Sequence, residues 1–120
     1  MPERRRDLYF VGDSFDALRE FPKPVQHGIG TALRLAQEGR KDPHAKPLKG
    51  FGGASVLEAI EDFDGNTFRA VYTVKLRSGV YVLHCFQKKS KSGIATPKRD
   101  LDLVRRRLNI AMKQDEAYFK

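Results

Sequence analysis

The side chains best suited to chemistry follow one another at the end of an apolar segment, residues 80–91, VYVLHCFQKKSK. The imidazole of His84 can accept or donate a proton near neutral pH. The ammonium groups of Lys88, Lys89 and Lys91 can neutralise charge on a phosphate, or donate a proton where their pKa is lowered. A hydroxyl next to a phosphodiester, as in RNA, supplies its own nucleophile. Its attack needs only a base, an acid and cations, and this segment offers candidates for each.

Two further side chains extend this set. Arg69 offers a planar guanidinium that matches a phosphate, and Phe86 can stack against a base. Structural alternatives stay open on the residues alone. Arg69 can instead pair with Glu58 or Asp62 across a sheet, His84 can be a half-buried polar residue, and the lysines can form a solvated loop.

The charge of the chain is concentrated near these residues. Lys and Arg total 23 against 15 Asp and Glu, which leaves +8, and residues 86–107 carry +6 of that excess because eight cations face two aspartates. Lys98 and Arg99 belong to this segment. Such a concentration favours a polyanionic partner such as nucleic acid, although a solubilising surface is the alternative.

The remaining totals limit the class of protein. A chain of 120 residues predicts a single domain over residues 1–120. Cys85 is the only cysteine, which excludes an internal disulfide, and His27 and His44 lack metal-ligand spacing, so we predict no metal and no cofactor. Only residues 8–11 are continuously apolar near the start, too few for a signal or membrane segment. We therefore expect a soluble, cytoplasmic protein without a membrane partner.

The pattern of apolar residues and turn signals predicts an α+β domain. Asp13 or Ser14 can cap a short helix, Pro24 suits the first turn of a second helix that ends at Gly39, and Thr96 can cap a last helix with Pro97 at its first position. The last helix should bury a stripe that includes Val104, Ala111 and Met112. The predicted order is strand 8–11, a helical hairpin, a basic loop 40–54, strands 56–63, 66–75 and 80–87, and the C-terminal helix.

Two predicted tight turns set the faces of the sheet. Asp64-Gly65 should place Phe63 opposite Asn66, and Ser78-Gly79 should place Arg77 opposite Val80. Because side chains alternate between faces, the apolar face, which includes Phe63, Tyr81, Leu83 and Cys85, should pack on the helices. The other face should carry Val82 together with Arg69 opposite Lys88 and His84 opposite Thr73, away from the packed interior.

The segments KPLKGFGGASVLEAIED, FRAVYTV and VYVLHCFQKKSKSGIATPKRDLDLVRRRL resemble the phage-derived, Gp49-like branch of the HigB toxins in the RelE/ParE superfamily. The resemblance implies a RelE/ParE-like antiparallel sheet with an N-terminal helical hairpin and a C-terminal helix. It also implies the toxin of a type II toxin–antitoxin system, a metal-independent endoribonuclease (mRNA interferase) that cuts mRNA on the ribosome and inhibits translation. Its partners would be the ribosome, mRNA and a HigA-like antitoxin with a helix-turn-helix domain.

The family pattern also implies roles for particular residues. Arg69, His84, Lys88 and Lys89 would be catalytic, and Lys46 and Lys49 in KPLKG would bind RNA together with Lys91. From their positions we add Phe86, Lys98 and Arg99 to the RNA-binding set. The alternative is a ParE-like toxin, which shares the fold, lacks the nuclease residues and binds gyrase or another host protein. A third possibility is a phage-encoded nucleic-acid-binding protein without toxicity.

Overall fold

A five-stranded sheet with helices on both faces forms the fold, which confirms the predicted α+β class. The computed structural model describes residues 5–53, 55–88 and 96–119. Its elements are β1 (Asp7–Phe10), α1 (Ser14–Arg19), α2 (Lys23–Gln37), β2 (Ala45–Pro47), β3 (Val56–Phe63), β4 (Asn66–Thr73), β5 (Gly79–Lys88) and α3 (Lys98–Tyr118). No helix in these residues is long and apolar enough to span a membrane.

The strand order is β1-β5-β4-β3-β2. β1 pairs with β5 in parallel and the other pairs are antiparallel, so the sheet is mixed. β2 lies within the stretch 40–54 that the sequence predicted to be a loop, and it places Lys46 opposite Glu58 at the sheet edge.

The first predicted hairpin is confirmed. Phe63 lies opposite Asn66, and Asp64 and Gly65 both have positive φ, of 52° and 80°. These dihedrals are those of a two-residue turn whose twist matches the flanking strands, and Asp and Gly are the residues that tolerate them. Phe63 itself is 39% exposed at the end of the hairpin rather than buried as predicted.

The second predicted turn is wrong. β4 ends at Thr73 and β5 begins at Gly79, so residues 74–78 form a longer connection. Arg69 consequently lies opposite Phe86, not Lys88, and His84 lies opposite Val71, not Thr73. Gly79 is a paired strand residue, and a Cβ atom there would lie 2.5 Å from the carbonyl oxygen of Asp7. Glycine is required at this position by the close approach of β1, not by a turn.

Arg6 holds the long connection from one side. Its guanidinium donates to the carbonyl oxygens of Val74 at 2.9 Å and Gly79 at 3.1 Å, and also to that of Leu76. These carbonyls lie at or between the ends of β4 and β5, where the ladder no longer supplies donors, so the arginine satisfies groups that would otherwise lack partners.

Asp115 of α3 holds the same connection by accepting hydrogen bonds from the backbone amides of residues 77 and 78. The backbone N–H groups of Ser78 and Arg77 donate to the Asp115 carboxylate at 2.6 and 3.2 Å. The carboxylate is 8% exposed. Burial acts to raise its pKa, but the hydrogen bonds from Ser78 and Arg77 outweigh it and hold the pKa below its ordinary value of 3.8. Asp115 therefore couples the end of α3 to the start of β5.

A register irregularity between β4 and β5 determines which residues face each helix layer. Val71 pairs with His84, whereas Tyr72 pairs with Val82, so Leu83 is an extra residue on β5. Such a bulge places two successive residues on one side of the sheet. Tyr81 and Leu83 consequently pack against α3, and Val82 packs against α1 and α2, the reverse of the predicted assignment.

Apolar residues fill both sides of the sheet. The side covered by α1 and α2 includes Ile29, Leu33, Ala70 and Tyr72, and Cys85 packs there as predicted, with burial raising its thiol pKa to about 12. The side covered by α3 is lined by Val11, Leu48, Val56, Val71, Tyr81, Leu83, Val104 and Ala111. The face predicted to lie away from the interior is therefore covered by α3. Met112, expected in the buried stripe, is 49% exposed.

We predict that Asp115→Asn lowers the free energy of unfolding by roughly 1–3 kcal/mol at neutral pH, because the two N–H groups bond to different carboxylate oxygens and an amide replaces one of these oxygens with a donor. A carboxyl whose folded pKa is depressed contributes its full stability above its unfolded pKa and loses it as the pH falls towards the folded value. The difference in the free energy of unfolding between the wild type and Asp115→Asn should therefore become smaller below about pH 4. Urea unfolding at several pH values measures it, with Asp102→Asn on the exposed side of α3 as the control. A constant difference across that range would contradict the assignment.

Candidate functional site

Four of the residues predicted to be functional lie on the side of the sheet that α3 covers. Arg69 lies opposite Phe86, and His84 and Lys88 lie two residues to either side of Phe86 on β5. The predicted sharing of one face by Arg69, His84 and Lys88 is therefore observed, although their pairing differs. We expected these groups to be open to solvent, and this expectation is wrong: Arg69 and Lys88 are only 5% and 6% exposed.

A buried ion pair occupies the centre of this face. Nη1 of Arg69 donates to Oε1 of Glu58 at 3.0 Å, and Glu58 is 1% exposed. The hydroxyl of Thr96 donates to the second oxygen, Oε2, at 2.9 Å. Of the alternatives left open for Arg69, pairing with Glu58 is the one observed. Thr96 is not the cap of α3 that the sequence predicted, since Pro97 occupies that position and the Thr96 side chain binds Glu58.

Lys88 belongs to the same electrostatic cluster. Its pKa lies below the ordinary 10.5, chiefly because burial disfavours the ammonium and then because Arg69 and Lys46 are positive, with Glu58 acting in the opposite direction. A lysine with a lowered pKa gives up its proton more readily near neutral pH. The cluster therefore combines cationic groups with a candidate proton donor.

His84 lies next to this cluster with a carboxylate partner that the sequence analysis missed. Its Nε2 atom is 2.7 Å from Oδ1 of Asp100 in the first turn of α3, and the two side chains are 12% and 18% exposed. The imidazole stacks on Phe86 with ring centroids 4.7 Å apart and an angle of 16° between the planes. Its Nδ1 atom is buried without a hydrogen-bond partner in the described part of the chain. The sequence did contain a signal for this pair: Asp100 is an acidic residue in the first turn of the helix that follows the strand carrying His84.

Arg107 of α3 fixes the backbone beside His84. Its guanidinium donates to the carbonyl oxygen of Leu83 at 2.9 Å and to Asp13 at 2.7 Å. The hydrogen bond and the charge of Arg107 lower the pKa of Asp13. Asp13 is the residue before α1, but its side chain makes no cap there and bonds to α3 instead. The bulge at Leu83 is thus held by the same helix that contacts His84.

A cavity of about 210 Å³ adjoins the Glu58 cluster. Its wall is formed by Lys46, Pro47, Leu48, Lys49, Glu58, Thr96 and Leu101. Both lysines of KPLKG therefore lie beside the cluster, and both are exposed. Apolar walls with a few polar groups are typical of small-molecule and nucleotide sites.

The other predicted RNA-binding residues lie at the edge of this region or outside it. Lys98 and Arg99 are exposed at the start of α3, where Lys98 pairs with Asp102 at 3.1 Å. Phe86 is half-buried and stacks on His84. Lys89 and Lys91 lie outside the described residues. Within the described ranges, no group of three or more His, Cys, Asp or Glu side chains is arranged to hold a metal ion.

Comparison with protein families assigns the chain to a known group. A family model described as phage derived protein Gp49-like (DUF891) matches residues 16–109. The chain belongs to this family. The Gp49-like family is a RelE/ParE-like toxin family, which indicates the toxin of a toxin–antitoxin pair with an antitoxin as its partner. No curated protein matches the chain.

We predict that Glu58→Ala destabilises this Gp49-like protein by about 3–5 kcal/mol, because it removes the carboxylate from a buried guanidinium. Replacing both partners, as in Glu58→Met with Arg69→Met, should recover most of that loss because neither member of the pair is left as an unpaired buried charge. Asp62→Ala, on an exposed position of the same strand, is the control and should change stability little. Chemical unfolding measures all three. A double variant no more stable than Glu58→Ala would show that the ion pair is not the cause.

Proposed function

We propose that this protein is the toxin of a type II toxin–antitoxin system and acts as a metal-independent endoribonuclease that cuts mRNA on the ribosome. The observation that supports this most is the single face that carries Arg69, Lys88 and the His84–Asp100 pair beside a cavity lined by Lys46 and Lys49. Cations, a proton acceptor and a proton donor are the groups that cleavage through the 2′-hydroxyl of RNA requires.

The positive groups would hold the scissile phosphate. Lys46 and Lys49 are exposed at the cavity, where a polyanion meets them first. Arg69 and Lys88 lie deeper, where electrostatic interactions are stronger than in water. Lys98 and Arg99 would contact the backbone further along the RNA, and Lys89 and Lys91 stay in the proposed set on the sequence alone.

Cleavage needs two proton transfers. The 2′-hydroxyl loses its proton to a base as its oxygen bonds to phosphorus. The bond from phosphorus to the 5′-oxygen then breaks, and an acid protonates that oxygen. The products are a 2′,3′-cyclic phosphate and a 5′-hydroxyl. His84 and Lys88 are the candidates for these two steps.

One observation favours the alternative, a ParE-like toxin that binds gyrase or another host protein. Arg69 is buried in an ion pair with Glu58, which is the geometry expected of a structural residue. In that case growth arrest would come with altered DNA supercoiling and intact mRNA. In either case we propose a cytoplasmic location and a HigA-like antitoxin as the partner.

We predict that His84→Gln lowers the rate of RNA cleavage by about 10²- to 10⁴-fold, the usual contribution of a general acid or base. The test is induction of the chain without its antitoxin, followed by mapping of mRNA 5′ ends and detection of 2′,3′-cyclic phosphates. His27→Gln, on an exposed position of α2, is the matched control and should leave cleavage unchanged. Growth arrest with uncut mRNA would refute the nuclease, and a changed plasmid supercoiling would then support the gyrase alternative.

Substitutions of Lys88 separate its charge from its proton. Arg keeps the charge but does not release a proton near neutral pH, whereas Met removes both. If Lys88 donates a proton, Lys88→Arg and Lys88→Met should both reduce cleavage by about 10²-fold or more. If it only stabilises charge, Lys88→Arg should retain most activity. Cleavage of mRNA by purified chain on ribosomes measures this, with the exposed Lys75→Met as the control.

A further inference from the structure

We infer that Asp100 is a positioning residue that fixes the orientation and tautomer of His84, and that Nδ1 is the His84 atom that exchanges a proton with the RNA. This inference rests on the proposed endoribonuclease function. To that function it adds a role for Asp100 and the identity of the reactive His84 nitrogen, and both follow from the contact between β5 and α3.

The tautomer follows from the nature of the partner. An ionised carboxylate can only accept hydrogen bonds, and its oxygen lies 2.7 Å from Nε2 of His84. Nε2 must therefore carry the hydrogen. In the neutral imidazole the other nitrogen, Nδ1, then holds the lone pair and is the basic atom.

The orientation of the ring is fixed from three directions. Asp100 holds its Nε2 edge, Phe86 covers one ring face at 4.7 Å, and Arg107 holds the backbone carbonyl of the preceding residue, Leu83. A rotated ring would lose the Asp100 hydrogen bond. Since Asp100 and Arg107 both belong to α3, this helix determines where Nδ1 points.

Nδ1 is the atom left for chemistry. It is buried and has no hydrogen-bond partner in the described residues, and leaving such an atom unsatisfied costs free energy until a donor reaches it. The 2′-hydroxyl of RNA is a donor that would satisfy it. Because Nδ1 is covered in the structure, RNA binding must include a local rearrangement that brings the hydroxyl to this atom.

The carboxylate of Asp100 also stabilises the product of that proton transfer. When the 2′-O–H bond breaks, its proton moves to Nδ1, the oxygen bonds to phosphorus, and the ring becomes a cation hydrogen-bonded to Asp100. The departing 5′-oxygen takes its proton from a second group, for which Lys88 is the candidate. Among the described residues, Arg107 and Asp13 also lie near the ring: the charge of Arg107 disfavours the cation and that of Asp13 favours it.

The test combines nitrogen NMR of the purified chain with cleavage assays on ribosomes. In the wild type, two-bond correlations should show His84 with hydrogen on Nε2. Asp100→Asn should mix the tautomers and reduce cleavage at least about tenfold, with the loss in kcat rather than in KM, because the base is no longer held in its productive orientation. Asp100→Glu should restore part of the rate. Asp102→Asn, two residues along α3, should change none of these.

The outcomes separate the inference from the proposed function. A wild-type chain that cleaves RNA but carries the hydrogen on Nδ1 overturns the assignment of atoms. An unchanged kcat together with an unmixed His84 tautomer in a folded Asp100→Asn variant overturns the positioning role. Failure of the wild type to cleave any RNA overturns the proposed function, and the RNA step with it, whatever the NMR spectra show.

Discussion

The buried Arg69–Glu58 ion pair is the interaction on which the polar face of the sheet depends. Two charges removed from water are tolerated only when they satisfy each other closely, and here they join β4 to β3 at 3.0 Å. The second oxygen of Glu58 receives Thr96, two residues before the first residue of α3. The pair therefore sets where the chain enters α3, and its charges act directly on Lys88.

The position of α3 has two further determinants, one in the middle of the helix and one near its C-terminal end. Asp115 binds the amides of the 74–78 connection, and Arg107 binds the bulged backbone at Leu83. Both contacts satisfy backbone groups that the strand ladders leave unpaired. The same contacts that complete the fold thus place Asp100 against His84, so the histidine cannot be oriented independently of the hydrophobic packing beneath α3.

These contacts explain how much the sequence could predict. The Asp64-Gly65 hairpin, the start of α2 near Pro24 and the strand over 56–63 depend on local turn and propensity rules, and they were predicted. The β4–β5 connection was not, because Arg6 and Asp115 bind it from distant parts of the chain. His84 and Arg69 still share a face because the register error between them was two residues, an even number. Because of the bulge at Leu83, Tyr81 and Leu83 lie on the face opposite to the one predicted. The contact between His84 and Asp100 was missed because it depends on how α3 docks on the sheet.

The covered face also changes how Phe86 should be understood. It lies between His84 and Lys88 along β5 and directly opposite Arg69 on β4. Its ring already stacks on the imidazole, so one of its two faces is unavailable to a base. Its first effect is to hold the imidazole flat beside the cationic cluster. A nucleotide that reached both His84 and Lys88 would span Phe86, with its phosphate at the cations and its ribose hydroxyl towards the imidazole.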